Sequence, residues 1–153
     1  MRLTSPSFED NGTIPAKFTC DGENINPALR ISDVPEKTQS LVLIMDDPDV
    51  PAEVRLERIW DHWVVFDIPP DTKEILENSN PGVRGKSNYP HTNYSGPCPP
   101  PQYQPTEHRY FFKLYALDKK LELSEGATKA EVESAMQGHI IAEAQLVGKY
   151  DRT

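Results

Sequence analysis

The chain has 153 residues, a mass of 17.3 kDa and a net charge of −8, from 16 basic and 24 acidic side chains. This acidic balance argues against a nucleic-acid partner, because phosphate binding needs a basic surface. No apolar run approaches the ~18 residues of a membrane span, so no integral membrane contact is expected. Eleven of the 15 prolines lie from Pro48 to Pro105, which excludes an all-helical fold because helix interiors reject proline. We predict a single domain over residues 1–153.

The N-terminal region is rich in turn residues and carries the first cysteine. The first ten residues contain one arginine and no apolar stretch, so we predict no signal peptide and a cytoplasmic location. In a chain without an export signal, Cys20 and Cys98 are expected to be reduced thiols. A bridge between them depends on geometry that the sequence does not reveal.

Three apolar runs of strand length follow along the chain, at residues 41–45, 62–68 and 109–117. The first run is continuously apolar, which is typical of a strand covered on both faces. Between the second and third runs, residues 78–107 contain Pro, Gly, Asn and Ser throughout. Long irregular segments in small domains are usually functional or disordered.

The proline-free tail has the pattern of a helix followed by a strand. Thr128 and Glu131 form a capping box, and apolar residues then follow helical spacing as far as Ile140. Gly138 should weaken or divide this helix. Residues 145–150 predict a last strand, so the fold is expected to be mainly β with a helical C-terminal element.

Four side chains of catalytic type lie at the ends of the predicted strands. Asp47 follows the first strand, His62 opens the second, and His108 and Tyr110 open the third. Because strand ends and neighbouring strand starts meet at one edge of an antiparallel sheet, we expect these four side chains to converge. The alternation of strand side chains predicts that His62 shares a face with Val64.

Two imidazoles and a tyrosine hydroxyl are hydrogen-bond donors, which favours a small oxyanion as ligand. The alternative is that both histidines are ordinary strand residues and Tyr110 is a core aromatic. A metal site of Asp47, His62 and His108 is the competing interpretation, but no metal-binding spacing supports it. A nucleophilic Cys98 also lacks the helix N-terminus that commonly activates a thiol. No cofactor motif is present, so neither metal nor cofactor is predicted.

Several short motifs are more specific than this constellation. Residues 47–51 read DPDVP, and residues 96–100 read GPCPP, followed by HRY at 108–110. They resemble the DPDxP and GPxPP…HRY signatures of the phosphatidylethanolamine-binding protein family. Residues 20–24, 61–63, 115–118, 138–140 and 148–150 are similar to its prokaryotic, Raf-kinase-inhibitor-like branch. The resemblance covers essentially the whole chain.

This resemblance implies a large antiparallel Greek-key sheet packed on a smaller sheet, with C-terminal helical elements. It also implies a surface pocket for phosphate or acetate formed by Asp47, His62, His108 and Tyr110. Residues expected to shape that pocket are Asp49, Pro51, Trp60, Trp63, Gly96 and Pro97, and Pro51 is expected in the cis form that the family often has. The segment 101–107 is longer than usual and lacks glycine, so we expect it to alter the pocket.

We therefore predict a non-enzymatic protein that binds a small anion or a soluble phosphorylated ligand. Intact phospholipid is not expected, because the sequence shows no basic membrane face and the net charge is −8. One alternative is an inhibitor of proteases or kinases that acts through residues 78–107. Another is a hydrolase with His62 and His108 as acid and base. A homodimer is suggested by tyrosines expected to be exposed, at positions 89, 94 and 103.

Overall fold

A computed structural model describes residues 1–152 of the chain. A 3₁₀ turn lies at Ala16–Phe18, and the helix α1 spans Lys129–Met136. The strands are β1 Arg2–Thr4, β2 Gly12–Thr13, β3 Leu29–Ser32, β4 Ser40–Asp47, β5 Trp60–Ile68, β6 Glu74–Ile75, β7 Val83–Arg84, β8 Glu107–Leu117 and β9 Ile140–Asp151.

The strands form two sheets. The larger has the order β2-β9-β8-β4-β5-β7, and the smaller has the order β1-β3-β6. Every pair is antiparallel except β2 with β9, which is parallel. The predicted fold class, mainly β with two packed sheets and a C-terminal helical element, is confirmed.

The central strand β4 is buried along its whole length. One face, with Leu43 and Met45, joins the main core between the two sheets, to which β3 contributes Ile31 and β8 contributes Phe112. The other face carries Ile44 into a second core, closed by Val132 and Met136 of α1 and by their neighbours. The interpretation of the first apolar run as a strand covered on both faces is therefore correct.

Helix α1 begins at its predicted cap but ends earlier than predicted. The Thr128 hydroxyl accepts a hydrogen bond of 3.1 Å from the Glu131 amide. The helix ends at Met136, Gly138 adopts a positive φ of 79°, and Ile140 already belongs to β9. The expected helical continuation to Ile140 is therefore wrong, because the left-handed residue at 138 turns the chain into a strand.

The two cysteines form a disulfide, so the expectation of reduced thiols is wrong. Cys20 and Cys98 lie 78 residues apart in sequence, and their Cα atoms are 5.5 Å apart. The Cys20 amide also donates to the Pro97 carbonyl at 3.1 Å. A Cβ at Gly96 would lie 1.9 Å from the Phe18 carbonyl oxygen, so glycine is required for this close approach.

In the part of the chain that the structure describes, no helix is long and apolar enough to cross a membrane.

Reduction of the disulfide is expected to destabilise the protein. The disulfide closes a loop of 78 residues and so restricts the unfolded chain. Such cross-links typically add about 2–4 kcal/mol to the free energy of unfolding. Urea unfolding with and without a dithiol reductant should show this loss. The double variant Cys20→Ser/Cys98→Ser is the control, and its stability should not respond to the reductant. Equal stability of oxidised and reduced wild type would contradict the prediction.

Candidate functional site

A β-bulge in β5 determines where His62 points. The register pairs Met45 with Trp63 and then Asp46 with Asp61, so His62 is an extra residue with no partner on β4. The strict alternation predicted from sequence is therefore broken. His62 does not extend into the second core with Val64. Its ring packs edge-on against Tyr110 of β8, with centroids 5.3 Å apart.

A network of ion pairs supports this bulge from the opposite face of the sheet. The Lys129 ammonium lies 2.9 Å from the carboxylate of Asp61 and 3.4 Å from that of Asp46. Lys113 approaches Asp46 at 3.0 Å, and Asp46 is buried. The first residue of α1 is thereby tied to the two strands that form the bulge.

The four predicted ligand-binding residues meet in one cavity of about 260 Å³. Asp47, His62, His108 and Tyr110 are all buried and all contribute to its wall. The rest of the wall is largely apolar or aromatic and consists of Val50, Val54, Trp60, Tyr89, Cys98, Pro99, Pro100, Gln102 and Tyr103. The predicted convergence of the four side chains at one sheet edge is therefore present in the structure.

His108 is fully engaged by two acceptors. Its Nδ1 lies 2.7 Å from the Asp47 carboxylate, and its Nε2 lies 3.0 Å from the Pro105 carbonyl. Both contacts are satisfied at once only when both ring nitrogens carry a proton. Burial by itself lowers the pKa of His108, but the hydrogen bond and charge of Asp47 outweigh burial and raise that pKa. His108 is therefore a buried imidazolium paired with Asp47.

His62 has the opposite character. Its Nδ1 donates to the Ser95 carbonyl at 2.7 Å, and the Tyr89 hydroxyl lies 3.4 Å from the same nitrogen. Burial lowers the pKa of His62 below its usual 6.5. The ring is therefore neutral near pH 7, with its proton on Nδ1 and a free lone pair on Nε2.

The Tyr110 hydroxyl is a buried polar group close to Asp47 that lacks a well-formed hydrogen bond. The residue is completely buried, and its hydroxyl forms no hydrogen bond of normal geometry with any described residue. Burial and the charge of Asp47 raise the pKa of this phenol, so it keeps its proton and can donate. An unsatisfied buried hydroxyl is costly, and a ligand or water in the cavity would satisfy it.

In the turn after β4, Val50 lines the cavity, whereas Asp49 and Pro51 do not. Asp49 forms a bidentate ion pair with Arg109, with distances of 2.8 and 2.9 Å, and also accepts from the Arg109 amide. This hydrogen bonding lowers the pKa of Asp49. Among the described residues the only cis peptide precedes Pro105. The expectation of a cis Pro51 is therefore wrong.

The other residues predicted to shape the pocket divide into two groups. Trp60 lines the cavity. Trp63 packs edge-on against Tyr94, with centroids 5.4 Å apart, and faces a different cleft. Gly96 and Pro97 lie behind the wall, where the Gly96 amide donates to Asn24 at 2.7 Å.

Sequence reasoning missed Tyr89 as part of the site. Its ring packs against Trp60 and His62 and stacks on His91, with centroids 5.7 Å apart in each case. Tyr94, expected to be an exposed interface residue, is instead buried. Both tyrosines belong to the irregular segment 78–107, where no periodicity indicates which side chains face inward.

The site combines one unpartnered donor, one free imidazole lone pair and an internal ion pair. Across residues 1–152, no group of three histidine, cysteine or acidic side chains is placed to hold a metal ion. Cys98 is oxidised in this structure, so it offers no thiolate here. The chemistry at the base of the cavity therefore depends on Tyr110, His62 and the Asp47–His108 pair.

Comparison with known proteins identifies the family. Residues 4–151 match the family model for phosphatidylethanolamine-binding protein. The chain belongs to the phosphatidylethanolamine-binding protein family. The UPF0098 protein of Methanothermobacter thermautotrophicus is 46% identical, with 99% of each chain covered. The UPF0098 protein of Chlamydia trachomatis is 43% identical, also with 99% of each chain covered.

Solved structures of this family share the fold. A putative phosphatidylethanolamine-binding protein homologue from Chlamydia trachomatis superposes with a TM-score of 0.94 at 42% identity, covering 99% of this chain and 97% of that one. Escherichia coli YbcL, described as a member of the mammalian PEBP family, gives a TM-score of 0.87 at 26% identity. The match covers 99% of this chain and 98% of that one. The resemblance drawn from the sequence motifs is thus confirmed at the level of family and fold.

Removing the Tyr110 hydroxyl should not destabilise the protein. Tyr110→Phe deletes a buried donor without a partner, so the free energy of unfolding should stay the same or rise slightly. Tyr94→Phe is the matched control, because that hydroxyl is also buried but donates to the Phe18 carbonyl at 2.8 Å. We expect Tyr94→Phe to cost about 1 kcal/mol. Urea unfolding of both variants measures this, and a greater loss in Tyr110→Phe would contradict it.

The Asp47–His108 pair should make stability depend on pH. The pKa of His108 is raised in the folded state, so its contribution is complete below the unfolded value of about 6.5 and is lost as pH rises through the folded value. The stability difference between wild type and His108→Gln should therefore be largest in acid. As pH rises from below the unfolded pKa to above the folded pKa, this difference in the free energy of unfolding should shrink by about 1.4 kcal/mol for each unit by which the pKa of His108 is raised. Urea unfolding from about pH 5 to 9 tests this, and a difference independent of pH would refute it.

Proposed function

We propose that the cavity binds a small oxyanion, such as phosphate, sulfate or the anionic end of a soluble ligand, without turning it over. The observation that carries this proposal is the buried hydroxyl of Tyr110, a residue that lines a cavity of about 260 Å³; this hydroxyl forms no hydrogen bond of normal geometry with a described residue. A ligand oxygen above this hydroxyl would satisfy it and restore a hydrogen bond.

The remaining donors restrict how an anion can bind. His108 spends both ring nitrogens on Asp47 and Pro105, and its positive charge is balanced by the Asp47 carboxylate. The free cavity therefore has no net positive charge at its base. His62 is neutral and presents a lone pair, which repels an oxyanion until it takes up a proton.

An anion should therefore bind together with a proton on His62 Nε2. The imidazolium would then donate to the ligand through Nε2 while Nδ1 keeps its bond of 2.7 Å to Ser95. The largely apolar wall excludes water and strengthens this charge-assisted hydrogen bond. A ligand that carries its own acidic proton could give that proton to His62 Nε2 and then bind in the same way.

Two alternatives are less well supported. For the hydrolase hypothesis, His62 is the one histidine of the pocket with an unengaged ring nitrogen, because both nitrogens of His108 are bonded. For the inhibitor hypothesis, the segment 78–107 is partly buried at Tyr94 and Ser95, which leaves less of it to contact a protein.

The affinity for sulfate should rise as pH falls. Sulfate keeps its charge between about pH 5 and 8, so any pH dependence comes from the protein. The pKa of free His62 lies below 6.5, and an anion on Nε2 raises it. Between these two values the dissociation constant should increase about tenfold per pH unit. Calorimetric titration in two buffers with different protonation heats should show uptake of about one proton.

His62→Ala and Tyr110→Phe are the informative variants. His62→Ala should bind sulfate weakly, with no proton uptake and no pH dependence. Tyr110→Phe should bind at least about tenfold more weakly while still taking up a proton. Failure of wild type to bind sulfate at any pH, or undiminished binding by His62→Ala, would disprove the proposal.

A further inference from the structure

A second cleft lies on the other side of the segment 89–95. Its volume is about 420 Å³, and it is separate from the cavity that contains His62. Trp63 and Tyr94 form its floor, where both are almost fully buried. Its walls are mainly asparagine side chains, together with Arg84 and His91. Neither the pocket motifs nor the proposed function uses this cleft.

Three of the five asparagines that line this cleft have their side-chain oxygens occupied by N–H donors. Asn24 Oδ1 accepts from the Gly96 amide at 2.7 Å, and Asn80 Oδ1 accepts from the Gly82 amide at 3.4 Å. Asn93 Oδ1 accepts from Arg84. Since every partner is an N–H donor, the orientation of each amide group is determined by its contact.

The free ends of these three amides are therefore all donors. None of the three NH₂ groups forms a hydrogen bond with any residue in 1–152, and none is sealed from solvent. An asparagine ordinarily offers a donor and an acceptor side by side. Here the Oδ1 acceptors are already bonded within the protein, so the cleft presents several NH₂ donors to a ligand.

The charged side chains of the cleft also favour a negatively charged ligand. Arg84 and His91 contribute to the lining, and no carboxylate does. This is unusual in a chain with a net charge of −8. Arg84 also pairs with Glu125 at 3.1 Å, so its field is partly balanced. The cleft is therefore suited to one anionic group and to several neutral oxygen acceptors.

We propose that this cleft is a second ligand site, for an oxygen-rich anion of metabolite size, such as a sugar phosphate or a sugar acid. The guanidinium group would hold the anionic end, and the amide groups would donate to hydroxyl oxygens. A volume of about 420 Å³ lies within the range of ordinary small-molecule sites. This proposal is independent of the first cavity.

Two features hold the donors in place before a ligand arrives. Asn24 adopts a positive φ of 58° and lies four residues after Cys20 of the disulfide. Its bond to Gly96 joins it to the wall between the two cavities. Asn26 supports the adjoining turn by bonding to Leu76 and Ser79. A preformed set of donors costs less ordering entropy on binding.

The test is a titration of ¹⁵N-labelled protein with glucose 6-phosphate, followed through the side-chain NH₂ signals of asparagine. We expect saturable shifts at Asn24, Asn80 and Asn93 within about 10 mM ligand, and much smaller ones with glucose. The same titration of Tyr110→Phe should leave these shifts in place. That variant separates this site from binding of the phosphate group in the first cavity.

Asn24→Asp is the decisive variant. It keeps an oxygen for the Gly96 amide but replaces the free donor with a second, negatively charged acceptor. We expect binding to weaken at least about tenfold. Asn11→Asp is the matched control, since Asn11 has a similar positive φ of 66° and lies outside the cleft. Its affinity should equal that of wild type.

Asn80→Asp provides a second route if Asn24→Asp folds poorly, since Asn80 is exposed and its oxygen also accepts from a backbone amide, that of Gly82. It too should weaken binding. The proposal is overturned if wild type shows no saturable shift at these three amides. It is also overturned if a folded Asn24→Asp or Asn80→Asp variant binds as well as Asn11→Asp.

Discussion

The bulge at His62 is the constraint on which the pocket depends. One extra residue in β5, opposite the end of β4, brings the imidazole to the face that carries Tyr110. Without it, alternation would send His62 into the second core, beside Val64. The extra residue is stabilised from behind, where Lys129 binds both Asp46 and Asp61. Bulges often redirect a side chain beside a functional site in this way.

The two histidines of the pocket have opposite protonation because their acceptors differ. His108 lies between a carboxylate and the Pro105 carbonyl, so both of its nitrogens must donate. His62 meets a single strong acceptor at Ser95, and burial keeps it neutral. The long segment before β8 thus has a specific effect, because the Pro105 carbonyl occupies a nitrogen that would otherwise face a ligand.

The segment 89–98 is a wall shared by two cavities. Tyr89 and the Ser95 carbonyl contact His62 on one side, while Asn93 and Tyr94 line the cleft on the other. Four contacts with the N-terminal turns anchor the wall: the Tyr94 hydroxyl to Phe18, the Gly96 amide to Asn24, the Pro97 carbonyl to the Cys20 amide, and the disulfide at Cys98. These anchors explain how an irregular, proline-rich stretch can position side chains for two sites.

The sequence by itself determined the four long strands β4, β5, β8 and β9, the helix cap, the family and the convergence of Asp47, His62, His108 and Tyr110. Local patterns encode these features, because strand periodicity, capping and strand ends depend on near neighbours. Only the tertiary structure decided the disulfide, the face taken by His62, the proton positions on the histidines and the contact of the Asn24 oxygen with Gly96. Most of these depend on contacts between segments far apart in the chain, such as Cys20 with Cys98 or His108 with Asp47. Such contacts leave no periodic signal in the chain.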